Sequence, residues 1–230
     1  KARKRKAPLL GIINRRDTEA TFIIREAGGG VLYTGTGRDV EIAVASTKAY
    51  YSQIAAGVIY AMAIARVLGI KENILIEDIE ELMAMPGKME RFLKGIRDAE
   101  SEHPLVRAAS FWPLKKTEWR VLGSGPGYYA AKEGRIKISE LCYRSLPIDY
   151  VEIFKHIDFS AEPWVLIDLA NVSGIDNVFF SDTPGEIDKM LAHNSAVSIV
   201  TTEDDHRFDD KSVNVVSIDE TITLRPFDVI

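Results

Sequence analysis

Residues 119–145 read WRVLGSGPGYYAAKEGRIKISELCYRS. Trp119 to Leu122 is an apolar run of strand length. Gly123-Ser124-Gly125-Pro126-Gly127 reads as a tight turn. A helical pattern follows from about Tyr128 to Ser145. Strand, glycine turn and helix together open a βαβ unit, and the residues downstream continue the alternation. Ile148–Val151, Trp164–Leu169, Ala196–Val200 and Val213–Ile218 read as strands, and Pro184–Ala192 reads as a helix. Strands alternating with helices imply parallel pairing, hence a doubly wound α/β sheet.

The upstream half shows the same order. Pro8–Ile13 is a short apolar strand pattern ending at Asn14-Arg15-Arg16. Val31-Leu32-Tyr33 lies between Gly28-Gly29-Gly30 and Thr34-Gly35-Thr36-Gly37 and reads as a second strand between loops. A long helix is predicted from Thr47 to Leu68, with Ser46 placed to cap it and Gly69 to close it. Lys71–Ala108 is helix-rich and charged. Met85-Pro86-Gly87 is expected to break it, with a new helix starting at Pro86. The boundary between halves is placed near Pro113–Glu118. Residues 1–115 are then the first half plus a helical connector, and residues 116–230 the second half. There is no internal repeat at the level of residues.

Composition narrows the function. The net charge is −5 and the pI about 5.5, which argues against a broad nucleic-acid footprint. The basic run KARKRK is confined to the first six residues and reads as a chain terminus. No apolar leader core follows those charges. Cys142 is the single cysteine, so no intramolecular disulfide can form, which fits a reducing, cytoplasmic setting. The longest apolar stretch, Ile54–Leu68, contains Arg66 and is too short and broken to span a bilayer. It reads as a buried helix. The four histidines and the lone cysteine have no metal-ligand spacing, so no metal is expected.

Several segments carry chemistry. The glycine turn lies where a strand feeds a helix, and its N–H groups could hold a phosphate. It lacks a dinucleotide fingerprint, because Tyr128 stands where the third glycine belongs. A plain tight turn is the favoured reading. In Glu41–Gln53, EIAVASTKAYYSQ, Ser46 and Thr47 open a helix whose free N–H groups would favour an anion or a sugar hydroxyl. A plain N-cap is the commoner role. Glu133, Lys137 and Glu140 sit at i, i+4 and i+7, which places two carboxylates and one ammonium in one helical stripe. Periodicity alone favours a solvated ladder over a proton-transfer site. The other face, with Ile136, Leu141 and Tyr143, is apolar enough to bury. His156, in Phe154-Lys155-His156-Ile157-Asp158, is a candidate acid or base, since histidine as a residue type changes charge near neutral pH.

Two of these segments together resemble one family, the SIS (sugar isomerase) domains. EIAVASTKAYYSQ is similar to their E-[IV]-[GA]-V-A-S-T-K-A segment. AKEGRIKISELCY followed by FKH resembles the A-L-E-G-A-L-K-L-K-E-I-[SA]-Y and L-K-H segments of the isomerase half of the glucosamine-6-phosphate synthases. The spacing from Glu140 to His156 matches without a gap. The resemblance implies two flavodoxin-like, parallel-sheet halves, both incomplete in this chain.

It also implies conversion of fructose 6-phosphate and ammonia to glucosamine 6-phosphate, with no cofactor. By position, Glu140 matches the general base, Lys137 the lysine beside it, and His156 the ring-opening histidine that acts across a dimer interface. Val44 and Ser46 match sugar-contacting residues, and Glu133 a supporting position. The implied partners are a phosphorylated hexose, a second copy of the chain, and a separate glutaminase domain or subunit supplying ammonia.

There are departures from the family. Its Ser/Thr-rich phosphate loop and its C-terminal Schiff-base lysine have no match in the 230 residues, so this reading makes the chain a segment of a longer protein. Ile157-Asp158 replaces the usual Gly-Pro, and the Asn14–Glu41 segment is longer than usual. The alternative is a non-catalytic SIS module that binds a phosphosugar and regulates a partner.

Overall fold

The computed structural model describes residues 3–35, 41–96, 103–111, 118–125, 127–156, 162–169, 183–203 and 205–218. Of the stretches treated above, Lys1-Ala2, Thr36-Gly37, the boundary residues 113–117, Pro126 and Ile157-Asp158 lie outside the described residues. The chain forms two compact units that divide between Leu82 and Met83.

In the first unit, β1 (Leu10–Ile13) and β2 (Gly30–Tyr33) pair in parallel, Leu10 opposite Gly30. The crossover between them is α1 (Glu19–Glu26), an element not expected from the sequence. Thr18 caps it, its hydroxyl accepting from the Thr21 N–H at 3.3 Å. It is only eight residues long, and its Thr21-Phe22-Ile23-Ile24 run is as compatible with a strand as with a helix.

The long predicted helix is α2 (Lys48–Val67). It ends in a Schellman motif. Ile70 N–H bonds to Ala65 O at 3.0 Å and Gly69 N–H to Arg66 O at 3.1 Å, with Gly69 at φ +88°. Val58, Met62 and Ala65 form a buried stripe that packs on Leu75, with Ile70 and Leu82 alongside. The expectation of a buried helix holds for that stripe only, since Ile59, Val67 and Leu68 on the same helix are exposed.

The predicted break at Pro86 does not occur. α3 runs unbroken from Glu72 to Leu93 with Pro86 inside it. The missing proline N–H removes a single ladder bond, and the strong helix formers on both sides carry the helix through.

The second unit contains α4 (Pro104–Phe111) and a five-stranded parallel sheet in the order β4-β3-β5-β6-β7. Its strands are β3 (Trp119–Gly123), β4 (Ile148–Tyr150), β5 (Trp164–Asp168), β6 (Ala196–Thr202) and β7 (Asn214–Ile218). Counted from its own first strand the order is 2-1-3-4-5, the flavodoxin-like form of the doubly wound fold. The predicted α/β class with parallel strands is thus observed.

Side-chain alternation assigns the two faces of the sheet. On β5, Trp164 and Leu166 join Trp119, Leu146 and Ile138 on the face that carries α5 (Gly127–Cys142). Val165 and Ile167 point the other way, into a core with Phe154, Val197 and Ile199 that takes Ile187 and Met190 from α6 (Thr183–Ala192). Strands covered on both faces read as nearly continuous apolar runs, which is why they were visible in the sequence.

Candidate functional site

The glycine turn joins β3 to α5 at the carboxyl end of the sheet, beside the point where strand order reverses. A Cβ on Gly127 would lie 2.6 Å from the Asp168 carbonyl oxygen, so the start of α5 sits directly on the end of β5. Ser124 N–H donates to that same carbonyl at 3.4 Å, and the Ser124 hydroxyl donates to Glu152 at 3.0 Å. The Tyr128 ring stacks on Tyr150 at 4.0 Å. Desolvation pushes the Tyr150 phenol up, with Tyr128, Tyr129 and Glu152 adding to the shift. Close packing explains Gly123 and Gly127, a left-handed backbone at φ +52° explains Gly125, and the neighbouring carboxylates are unsuited to a phosphate.

α5 carries the predicted stripe. The Lys137 ammonium lies 2.5 Å from Glu133 Oε1, and both side chains are only about one-fifth exposed, at 21% and 22%. This is the i, i+4 pair that periodicity favours; the resemblance set Lys137 beside Glu140. Glu140, one turn further on, is half-buried. Its Oε2 is shielded from solvent and has no hydrogen-bond partner among the described residues. Glu81 Oε2 and Glu186 Oε2 are in the same condition, so what singles out Glu140 as a candidate base is this shielding together with its place one turn from Lys137 on α5.

The expected burial of the opposite side is overturned at its end. Helix α5 stops at Cys142 instead of Ser145, and Leu141 and Tyr143 are 69% and 94% exposed. Tyr143 lies beyond the helix at φ +52°, so helical spacing no longer places it.

His156 ends a 3₁₀ turn, Val151–His156, that follows β4. Phe154 anchors this turn in the core at 0% exposure while Lys155 and His156 face outward. His156 makes no hydrogen bond or ion pair with any other described residue.

In the first unit the segment before α2 holds Val44, 88% exposed, and Ser46, half-buried. Ser46 is not the helix cap. Thr47 occupies the N-cap position and makes no side-chain capping bond. The cap is the side chain of Glu41, a residue the sequence reading left without a role. Its carboxylate accepts from Thr47 N–H at 2.5 Å, Lys48 N–H at 2.9 Å and Ala49 N–H at 3.2 Å. The hydroxyls of Ser46 and Thr47 donate to it as well, each at 2.9 Å. The Thr47 N–H bond is the largest influence on this group. Desolvation opposes it, the remaining donors reinforce it, and the carboxyl is lowered from 4.5 to about 2. A carboxylate five residues before a Ser-Thr pair is the sequence signal that could have found this cap.

Among the described residues no cluster of histidine, cysteine and carboxylate side chains could hold a metal, and no helix is long and apolar enough to cross a membrane.

The chain matches no protein-family model. It is similar in sequence to proteins named glutamine–fructose-6-phosphate aminotransferase (isomerizing). Identity is 35% with the Clostridium tetani protein and 36% with that of Mycolicibacterium smegmatis, in each case over 143 residues, 62% of this chain. It spans about one-fifth of the length of these relatives, 21%. Its fold is shared with the C-terminal domain of glucosamine-fructose-6-phosphate aminotransferase from Francisella tularensis. That match has a TM-score of 0.73 at 17% identity and covers 96% of this chain and 66% of that one. A protein described as a phosphosugar isomerase, from Silicibacter pomeroyi, aligns with a TM-score of 0.63 at 15% identity, over 97% of this chain and 67% of that one. The likeness read from the two signature segments is borne out by these relatives.

Proposed function

We propose that this chain is the isomerase-type part of a phosphosugar enzyme. On this reading it acts on fructose 6-phosphate, and in the aminotransferase reaction it yields glucosamine 6-phosphate from that sugar and ammonia. The observation that carries the reading is the Glu140 carboxylate oxygen, shielded from water and without a donor, on the helix that also bears the Glu133–Lys137 ion pair.

The chemistry follows from those groups. Glu140 removes a proton from C1 of the open-chain sugar or its imine. The C–H electron pair forms a C1–C2 double bond, and charge develops on the heteroatom at C2. The same carboxyl then returns the proton to C2 while the C1 hydroxyl gives up its proton and becomes the aldehyde oxygen. The heteroatom at C2 takes up a proton, so the net change is one hydrogen moved from C1 to C2 and one from O1 to that heteroatom. Lys137, held by Glu133, supplies the positive charge that offsets the developing anion. Both groups sit on a rigid helix packed on the sheet, which fixes their spacing.

His156 is assigned to opening the sugar ring. Its outward-facing position suits action on a second copy of the chain, and a homodimer is part of this proposal. Val44 and Ser46 are assigned to contact the sugar. Ammonia would come from a glutaminase domain or subunit, and the setting would be the cytoplasm.

Glu140→Gln tests the assignment. Solvent deuterium exchange at C1 and C2 of fructose 6-phosphate should fall about 10²- to 10⁴-fold while calorimetric binding of the sugar survives. Unchanged exchange removes Glu140 as the base. Binding without exchange in the unsubstituted chain would instead favour the regulatory-module reading.

A further inference from the structure

We infer that Arg16 and Arg25, gathered at the ring of Tyr33, form a seat for a phosphate monoester at the carboxyl end of the β1–β2 pair. None of the residues assigned to the sugar reaction takes part, so this site is additional to the one described above.

Local bonding builds the seat. β1 and β2 run parallel, so both end on the same side of the first unit, the side on which open α/β sheets hold their ligands. Thr34 N–H donates to Ile13 O at 3.1 Å, and the Thr34 hydroxyl donates to Asn14 Oδ1 at 3.3 Å. The two strand ends are thereby tied together. Tyr33 closes β2, Arg16 stands three residues past the end of β1, and Arg25 comes from the last turn of α1. The Arg16 guanidinium carbon lies 4.9 Å from the centre of the Tyr33 ring, and that of Arg25 lies 5.9 Å from it. One half-buried ring thus collects two exposed cations from different elements.

No carboxylate takes them up. Asp17, Glu19 and Glu26 lie on the same stretch, yet among the described residues neither guanidinium makes an ion pair or a hydrogen bond. Like charges gathered without a counter-ion repel, and a dianion beside them removes that cost. Contact with the ring uses the face of a guanidinium. Its in-plane N–H donors stay free at the rim, in the fork that fits phosphate oxygens two at a time. Asn14 adds a neutral donor, because its Oδ1 is taken by Thr34 while its side-chain N–H groups bond to no described residue. This donor-rich set with two positive charges matches a phosphate monoester, which carries about −1.5 to −2 charge and three acceptor oxygens near neutral pH.

The test titrates the 230-residue chain at pH 7 and constant ionic strength, because salt screens exposed charges. Inorganic phosphate, fructose 6-phosphate and fructose are added in separate titrations, and the backbone amide resonances of Arg16, Arg25 and Tyr33 are followed. The two phosphates should give saturable shifts with a Kd on the order of 1 mM or tighter, and fructose none. Arg16→Gln and Arg25→Gln should each weaken phosphate binding at least about tenfold, read at Tyr33. Arg66→Gln is the control. Arg66 is also exposed but faces Glu72 at 3.5 Å, and its loss should leave the affinity unaltered. Tighter binding of fructose 6-phosphate than of inorganic phosphate assigns a sugar phosphate as the occupant, and equal or weaker binding assigns free phosphate. The inference is overturned if the shifts do not saturate, if the substitution at Arg16 or at Arg25 leaves the affinity unchanged, or if fructose alone shifts the same resonances. No turnover is measured, so the outcome is separate from that of the Glu140 exchange experiment.

Discussion

Gly127 is the position where a single methyl group tests whether the β3–α5 turn is a packing device. A Cβ there would lie 2.6 Å from the Asp168 carbonyl oxygen, 3.1 Å from Asp168 Oδ1 and 3.2 Å from the Asp168 carbonyl carbon. The nearest of these falls about 0.4 Å short of the 3.0 Å floor that real Cβ contacts respect. The obstructing atom is backbone at the end of β5, held by the strand ladder, and cannot rotate aside. The start of α5 must lift off the sheet instead. Forcing a methyl group into packed surroundings costs about 1–3 kcal/mol. At about 2–4 °C per kcal/mol for a unit of this size, Gly127→Ala should lower the melting temperature by roughly 2–12 °C.

Gly134, on the same helix, is the control. Nothing lies within 4 Å of where its Cβ would stand, so Gly134→Ala should stabilise by about 0.5–1 kcal/mol through helix propensity alone. Both variants are read by circular dichroism on heating. Equal stability of the two would refute the close-approach argument and reopen the turn as a binding loop.

Other expectations are directly measurable. Because the Glu41 carboxyl is lowered from 4.5 to about 2, its contribution to stability is complete above pH 4.5 and is lost as pH falls toward about 2. Urea titrations across that range should show a stability loss that Glu41→Gln flattens, and parallel slopes would count against the cap. Phe154, at 0% exposure, anchors the turn that ends at His156, so Phe154→Ala should cost about 3–5 kcal/mol in the same assay. A cost below about 1 kcal/mol would contradict its place in the core. Lys137→Met removes the ammonium but keeps most of the packing. On the proposed mechanism it should slow C1/C2 exchange about 10²-fold with sugar binding retained, and unaltered exchange would leave Lys137 as one half of a structural ion pair.

By itself the sequence determined the parallel α/β sheet of the second unit. Strands buried on both faces must be apolar throughout, and Trp164–Leu169 and Ala196–Val200 say so in one dimension. It also determined the shared edge of Glu133, Lys137 and Glu140, because helical spacing is a local property. Helix α1 escaped notice because its eight residues carry a Thr21-Phe22-Ile23-Ile24 run that reads as readily as a strand, and the Pro86 break failed because the helix continues through one lost bond. The Glu133–Lys137 pair is local, at i and i+4, but tertiary structure alone decided how far each charge is shielded from water. Glu41 folds over the start of α2 to take the capping role expected of Ser46. Spacing limits which side chains can meet, but the free energy of a buried or capped charge depends on donors and solvent in three dimensions, which a string of residues does not specify.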